Sequence, residues 1–284
     1  MHSHWERYAN ARTIVGATLA ALALLLTGAA GCGPEPADPP ADPSAGGGEP
    51  EPGMLILAKA QFERITRDDG TKGFAPGAAK MVLIRHDGTE WTKEVFEDPD
   101  SNVFHKAKPV HLPGYDPGIL SIGANAAPKP ALLKLWTPGP GGWTGEALAQ
   151  ATFGGKFNRF RDFEIGDVDA DDRQEIVIAT HDQGVVMVLA RQADGWQRLE
   201  IDRQEDTFVH EVELGDVDRD GRQEIFATPS EPNRVDGTPQ PGWVMRYDHT
   251  EDGYTAVEVL RLPTRHMKEI LVGDAEQDGT LELY

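Results

Sequence analysis

The chain has 284 residues, with 47 Asp or Glu against 27 Lys or Arg and a formal net charge of −20. A field of that sign repels phosphate backbones and anionic bilayers, which excludes nucleic-acid binding and electrostatic docking to a membrane surface. The apolar share of 39% is enough for a core, and 31 Gly and 21 Pro point to many turns.

Arg7 and Arg12 give the N-terminus a weak positive charge, and an apolar run of about 13 residues ends in Leu22–Leu26. That is short of the ~20 residues a membrane-spanning helix needs. It closes on Ala29-Ala30-Gly31-Cys32, and Cys32 is the only cysteine of the chain. The segment resembles a bacterial lipoprotein signal peptide over residues 1–32. The resemblance implies lipidation at Cys32 and a place at the cell envelope. With Gly33 rather than Asp after the Cys, it implies sorting to the outer membrane. Contact with a membrane is then expected only through this anchor. Residues 33–53 are Pro, Gly, Ala, Asp and Glu with no apolar period, and are expected to form a disordered tether.

From Met54 the chain alternates apolar runs with turn signals. Met54–Ala58, Lys80–Arg85, Ala131–Trp136, Val185–Leu189 and Trp243–Tyr247 read as strands. The last four are each followed by a Gly-containing hairpin and an aromatic residue: Trp91, Trp143, Trp196 and Tyr254, spaced 52, 53 and 58 residues apart. Each aromatic is expected to begin an outer strand and to pack between neighbouring units.

Three acidic stretches recur with the same cadence, at 167–175, 216–224 and 274–282, each after a Gly. Their carboxylates stand at positions 1, 3, 5 and 9: Asp167, Asp169, Asp171 and Glu175; Asp216, Asp218, Asp220 and Glu224; Asp274, Glu276, Asp278 and Glu282. Alternate residues of a tight loop converge on one point, and Ca²⁺ accepts six to eight oxygens with flexible geometry. Position 6 is Gly221 and Gly279 in the second and third copies and Asp172 in the first, which suits a turn that needs positive φ. An EF-hand would need Glu at position 12 and flanking helices. Position 12 is Ile178 and Ala227 in the first two copies, and the flanks read as strands. The competing interpretation is a solvated acidic turn. Without a cation, four gathered carboxylates would raise one another's pKa values.

A period near 50 residues with about four short strands per unit suits a β-propeller blade. The expected fold is all-β, a propeller of four-stranded blades spanning 54–100, 101–151, 152–204 and 205–263, with a partial unit at 264–284. The run Gly215–Ile225 and its sister Gly166–Ile176 resemble the FG-GAP/VCBS repeats of calcium-bearing propellers. That resemblance implies calcium at the carboxylates named above. It departs from the pattern at Gly114-Tyr115-Asp116, where the loop is shortened and one carboxylate is left, so no ion is expected there. Both ends of the array read as second strands and about four units are visible, so an incomplete ring is expected.

Six residues ahead of each acidic stretch lies a basic–acidic pair: Arg161-Asp162, His210-Glu211 and Lys268-Glu269. These are expected to pair around a wet central channel, with a functional channel mouth as the alternative. The sequence has no Gly-x-Ser-x-Gly elbow, P-loop, His-Glu-x-x-His spacing or cysteine nucleophile. The reading is therefore a calcium-binding, non-catalytic scaffold for a protein or glycan. A polysaccharide lyase or hydrolase is the alternative.

Overall fold

The computed structural model describes residues 53–284 apart from 194, 233 and 235. The signal segment, Cys32 and nearly all of the tether lie outside the described residues. Among the described residues the regular structure is entirely strand.

The chain runs as successive antiparallel meanders. The first comprises β1 (Met54–Lys59), the hairpin β2 (Phe62–Thr66) and β3 (Lys72–Pro76), then β4 (Ala79–His86) and β5 (Trp91–Asp98). Its main sheet has the order β1-β4-β5, and the hairpin stands apart from it. Next come β6 (Val103–Val110), β7 (Gly118–Ala126), β8 (Ala131–Gly139) and β9 (Gly142–Ala151). The third group is β10 (Phe157–Gly166), β11 (Glu175–Thr180), β12 (Val185–Gln192) and β13 (Gly195–Arg203). The fourth is a separate sheet of β14 (Phe208–Gly215), β15 (Glu224–Ser230), β16 (Gly242–Thr250) and β17 (Gly253–Leu262). A last pair, β18 (Val272–Gly273) and β19 (Glu282–Leu283), follows.

The second and third groups are joined into one eight-stranded sheet. The end of β7 runs past the start of β6, and Ala124–Ala126 pair there with Phe157–Arg159 of β10. The hairpin β2–β3 was not foreseen from the sequence. Its residues alternate without an apolar face, and β2 is exposed along its length.

The core is not central but layered between successive groups. Residues of β11 are buried throughout, and they alternate by face as the strand period requires. Ile176 and Ile178 join Leu133, Phe160 and Phe163 on one side. Val177 and Ala179 join Val209, Val212 and Ile225 on the other. Burial on both faces explains why the inner strands read as continuous apolar runs. The last strand of each group, such as β13 and β17, is largely exposed.

Two glycines show how closely the groups approach. A side-chain carbon at Gly166 would stand 2.0 Å from the Gln223 amide oxygen of the next group, and one at Gly215 would stand 2.4 Å from Val272. The Gly ahead of the first two acidic loops is thus a contact point between neighbours.

Three of the four aromatics pack between neighbours. Trp143 stacks on Phe96, with centroids 5.4 Å apart, and donates to Glu94 at 2.9 Å. Trp196 donates to the Tyr115 hydroxyl at 3.3 Å, where Arg191 covers both rings. Tyr254 packs against the layer between the third and fourth groups. Trp91 differs: it is 69% exposed and touches His86 of its own hairpin, because no described group lies beyond it to cover the ring.

Candidate metal centres

Each acidic stretch is the loop from the first to the second strand of its group: β10 to β11, β14 to β15 and β18 to β19. All three have the same backbone. Position 4 takes positive φ in Ala170 (60°), Arg219 (64°) and Gln277 (58°). Position 6 does so in Asp172 (64°), Gly221 (91°) and Gly279 (83°). Two left-handed residues flanking position 5 curl the loop inward. At Asp172 the short polar side chain tolerates this conformation.

The carboxylates also organise the loop that carries them. Position 1 accepts the backbone N–H groups of positions 5 and 6. The distances are 3.3 and 3.0 Å at Asp167, 3.0 and 3.0 Å at Asp216, and 3.0 and 2.7 Å at Asp274. Position 5 accepts from the N–H of position 7 at 2.9, 2.9 and 2.8 Å. At position 9, Glu175 accepts from Val168 (3.2 Å) and Glu224 from Val217 (2.8 Å). These bonds hold the loop in shape without any cation.

In the first loop, oxygens of Asp167, Asp169, Asp171 and Glu175 lie within 4.8 Å of one another, and the second loop brings Asp216, Asp218, Asp220 and Glu224 together in the same way. The third gathers Asp274, Asp278 and Glu282. Glu276 stands outside that group. Its side chain is one methylene longer than the Asp at position 3 of the other two loops. Such clusters could hold a metal ion.

The electrostatics of the first loop favour a cation. Burial, reinforced by Asp169, Asp171 and Asp167, pushes the Glu175 carboxyl up to about 7. Burial and then Asp171 push Asp169 up. Its Oδ1 is buried and without a hydrogen-bond partner among the described residues. Glu224 is raised by burial and by Asp218 and Asp216. Burial is thus the larger cause, where the sequence suggested repulsion. Asp171 goes the other way because the Arg173 guanidinium pairs with it.

The basic–acidic pairs have separate roles. A β-bulge interrupts β6 at His105, β10 at Arg161 and β14 at His210-Glu211, and a bulge re-aims the side chain it carries. Arg161 Nη1 lies 2.8 Å from His105 Nδ1, and His210 Nε2 lies 2.6 Å from His266 Nε2. The acidic partners reach across to the backbone of the following group, Asp162 to strand β14 and Glu211 to the segment just ahead of β18. Asp162 accepts the N–H of Val212 at 3.0 Å, and Glu211 accepts that of Ile270 at 2.9 Å. Asp162 also meets Lys106 of β6 at 2.5 Å. Lys268 and Glu269 lie ahead of β18 and outside any strand.

Sequence reasoning did not find His181. It follows β11, stacks on Phe208 with centroids 3.9 Å apart, and meets His210 edge-on at 5.0 Å. Nothing in its spacing marks it. Burial lowers the pKa of His105 and of His210 to about 3 each, and that of His181 as well. Arg159 and Arg161 add to the effect, so all three rings are neutral near pH 7.

A scan against protein-family models gives no match to this chain, and a search of curated proteins gives none either.

Proposed function

We propose that the chain is a calcium-stabilised β-propeller of the FG-GAP/VCBS type, acting as a non-catalytic binding scaffold for a protein or glycan at the cell envelope. The observation that carries this reading is the threefold recurrence of one loop: carboxylates at positions 1, 5 and 9 converge, left-handed residues stand at 4 and 6, and the same N–H groups are accepted each time. Hard carboxylate oxygens without His or Cys suit Ca²⁺ over a transition metal.

The blade arrangement is supported by meanders of about 50 residues whose cores lie between neighbours and whose first strands are tied by Asp162 and Glu211 to the backbone of the group that follows. In this arrangement the ion stiffens the turn between the two inner strands of a blade. Anchoring through Cys32 would place the array on a bilayer.

Thermal unfolding of chelator-stripped protein with and without added calcium tests the proposal. Calcium at a hundred times Kd stabilises by ~2.7 kcal/mol per site. Asp218→Ala should remove one site's share of that gain. Equal melting temperatures in calcium and chelator would refute it.

A further inference from the structure

A cavity of about 330 Å³ opens at the ends of the inner strands away from the acidic loops. β10 has ten residues, with Phe157 and Arg159 on the cavity and Asp167 just past its far end. The two sites are therefore roughly 30 Å apart at 3.3 Å per residue.

The cavity wall has two kinds of surface. Phe62 and Pro76 of the β2–β3 hairpin, with Phe157 and Phe208, make it aromatic and apolar. Its polar end is made by Arg159, His181 and His105. Among the described residues lining it there is no Asp or Glu, although the chain carries 47 of them.

The donors at that end are set in place. Arg159 Nε and Nη2 each donate to Asp182 at 2.6 Å. That pairing holds the guanidinium over the Phe157 ring, 4.8 Å from its centroid, and leaves Nη1 outside the pair. Because a guanidinium can only donate, His105 Nδ1 accepts from Arg161 and its proton sits on Nε2. Nε2 is buried without a partner among the described residues, as is His181 Nδ1. A guanidinium with one nitrogen outside its ion pair, set beside an aromatic slot, is the arrangement of a small-molecule pocket, and the volume is at the small end of the usual ~300–1,000 Å³.

We propose that this cavity binds a small organic carboxylate with a flat apolar body. The body lies between Phe62, Phe157 and Phe208, and the carboxylate is held by Arg159. The hairpin β2–β3 supplies one wall and so shapes the slot.

Calorimetric titration of the folded chain with 2-naphthoate, 2-naphthylmethanol and 2-naphthylmethylamine tests it, in calcium and in chelator. The expected result is one saturable naphthoate site in either buffer, with the alcohol and amine at least tenfold weaker. Arg159→Gln should erase the preference for the acid. Ala60→Trp, at an exposed position lining the cavity, should abolish binding while leaving the melting temperature unchanged. If Arg159→Gln fails to fold, the ligand series and Ala60→Trp decide the matter. No saturable binding at millimolar naphthoate, equal affinity for all three probes, or undiminished binding in Ala60→Trp would overturn the proposal.

Discussion

Replacing Asp162 tests how the groups are held to one another. The residue is 4% exposed, and its carboxylate bridges three strands: β10 carries it, Lys106 of β6 pairs with it, and Val212 of β14 donates to it. In Asp162→Ala the Val212 N–H stays buried without an acceptor, which costs ~1–3 kcal/mol, and a hydrogen bond to a charged group worth ~1.5–3 kcal/mol is lost. Lys106 keeps Glu164 at 2.6 Å, so the larger penalty of an unpaired buried charge is avoided. The loss should total about 3 kcal/mol. Asp162→Asn keeps an acceptor for Val212. Burial already pushes this carboxyl up, so removing its charge recovers desolvation energy, and the expected loss is about 1 kcal/mol. With a urea m-value of about 2–3 kcal/mol/M, the midpoint should fall by roughly 1–1.5 M for Ala and by under 0.5 M for Asn. The reasoning fails if Asp162→Ala unfolds at the wild-type midpoint, or if Asn is as damaging as Ala.

Two further predictions concern buried charge. Glu175 has a folded pKa of about 7, above its ordinary 4.5, so in metal-free protein the fold holds a proton that the unfolded chain releases. That contribution is complete below pH 4.5 and is lost as pH rises through 7. Glu175→Gln should therefore raise metal-free stability by about 2 kcal/mol at pH 7.5, after allowance for solvent around the loop, and by under 0.5 kcal/mol at pH 4.5, while weakening the response to calcium. Reading the variant against wild type at each pH cancels the opposite trend from the buried histidines, which lose stability on acidification from 6.5 towards 3. An equal effect of the variant at both pH values would contradict this. Separately, Lys134 is buried with Asp98 at 2.7 Å and Asp100 at 2.6 Å, and Asp98 is fully buried. Lys134→Met should cost ~3–5 kcal/mol by leaving Asp98 unpaired, and adding Asp98→Asn should restore more than half of it, as measured by urea unfolding.

The loops were legible because their chemistry is local. Spacing within nine residues sets which carboxylates converge, and Gly221 and Gly279 advertise the positive φ that Asp172 adopts without such a sign. The inner strands were legible because burial on two faces leaves unbroken apolar runs such as Ile176–Ala179. What escaped depends on contacts distant in sequence. The bulges at Arg161 and His210 show only as charged pairs at a fixed offset, the one at His105 has no such mark, and the carboxylates of Asp162 and Glu211 bond backbone 50 and 59 residues away. The β2–β3 hairpin lacks an apolar period because it buries little. The exposure of Trp91 depends on what lies beside the first group, which the periodicity of the aromatics does not encode.

The central claim is that the repeated loops are cation cages. Calorimetric titration of calcium into chelator-stripped protein at pH 7.5 tests it most directly. The account predicts at least two sites per chain, with one lost in Asp169→Ala and a different one lost in Asp218→Ala. A titration showing no saturable calcium binding, or a site count unchanged in both variants, would contradict it.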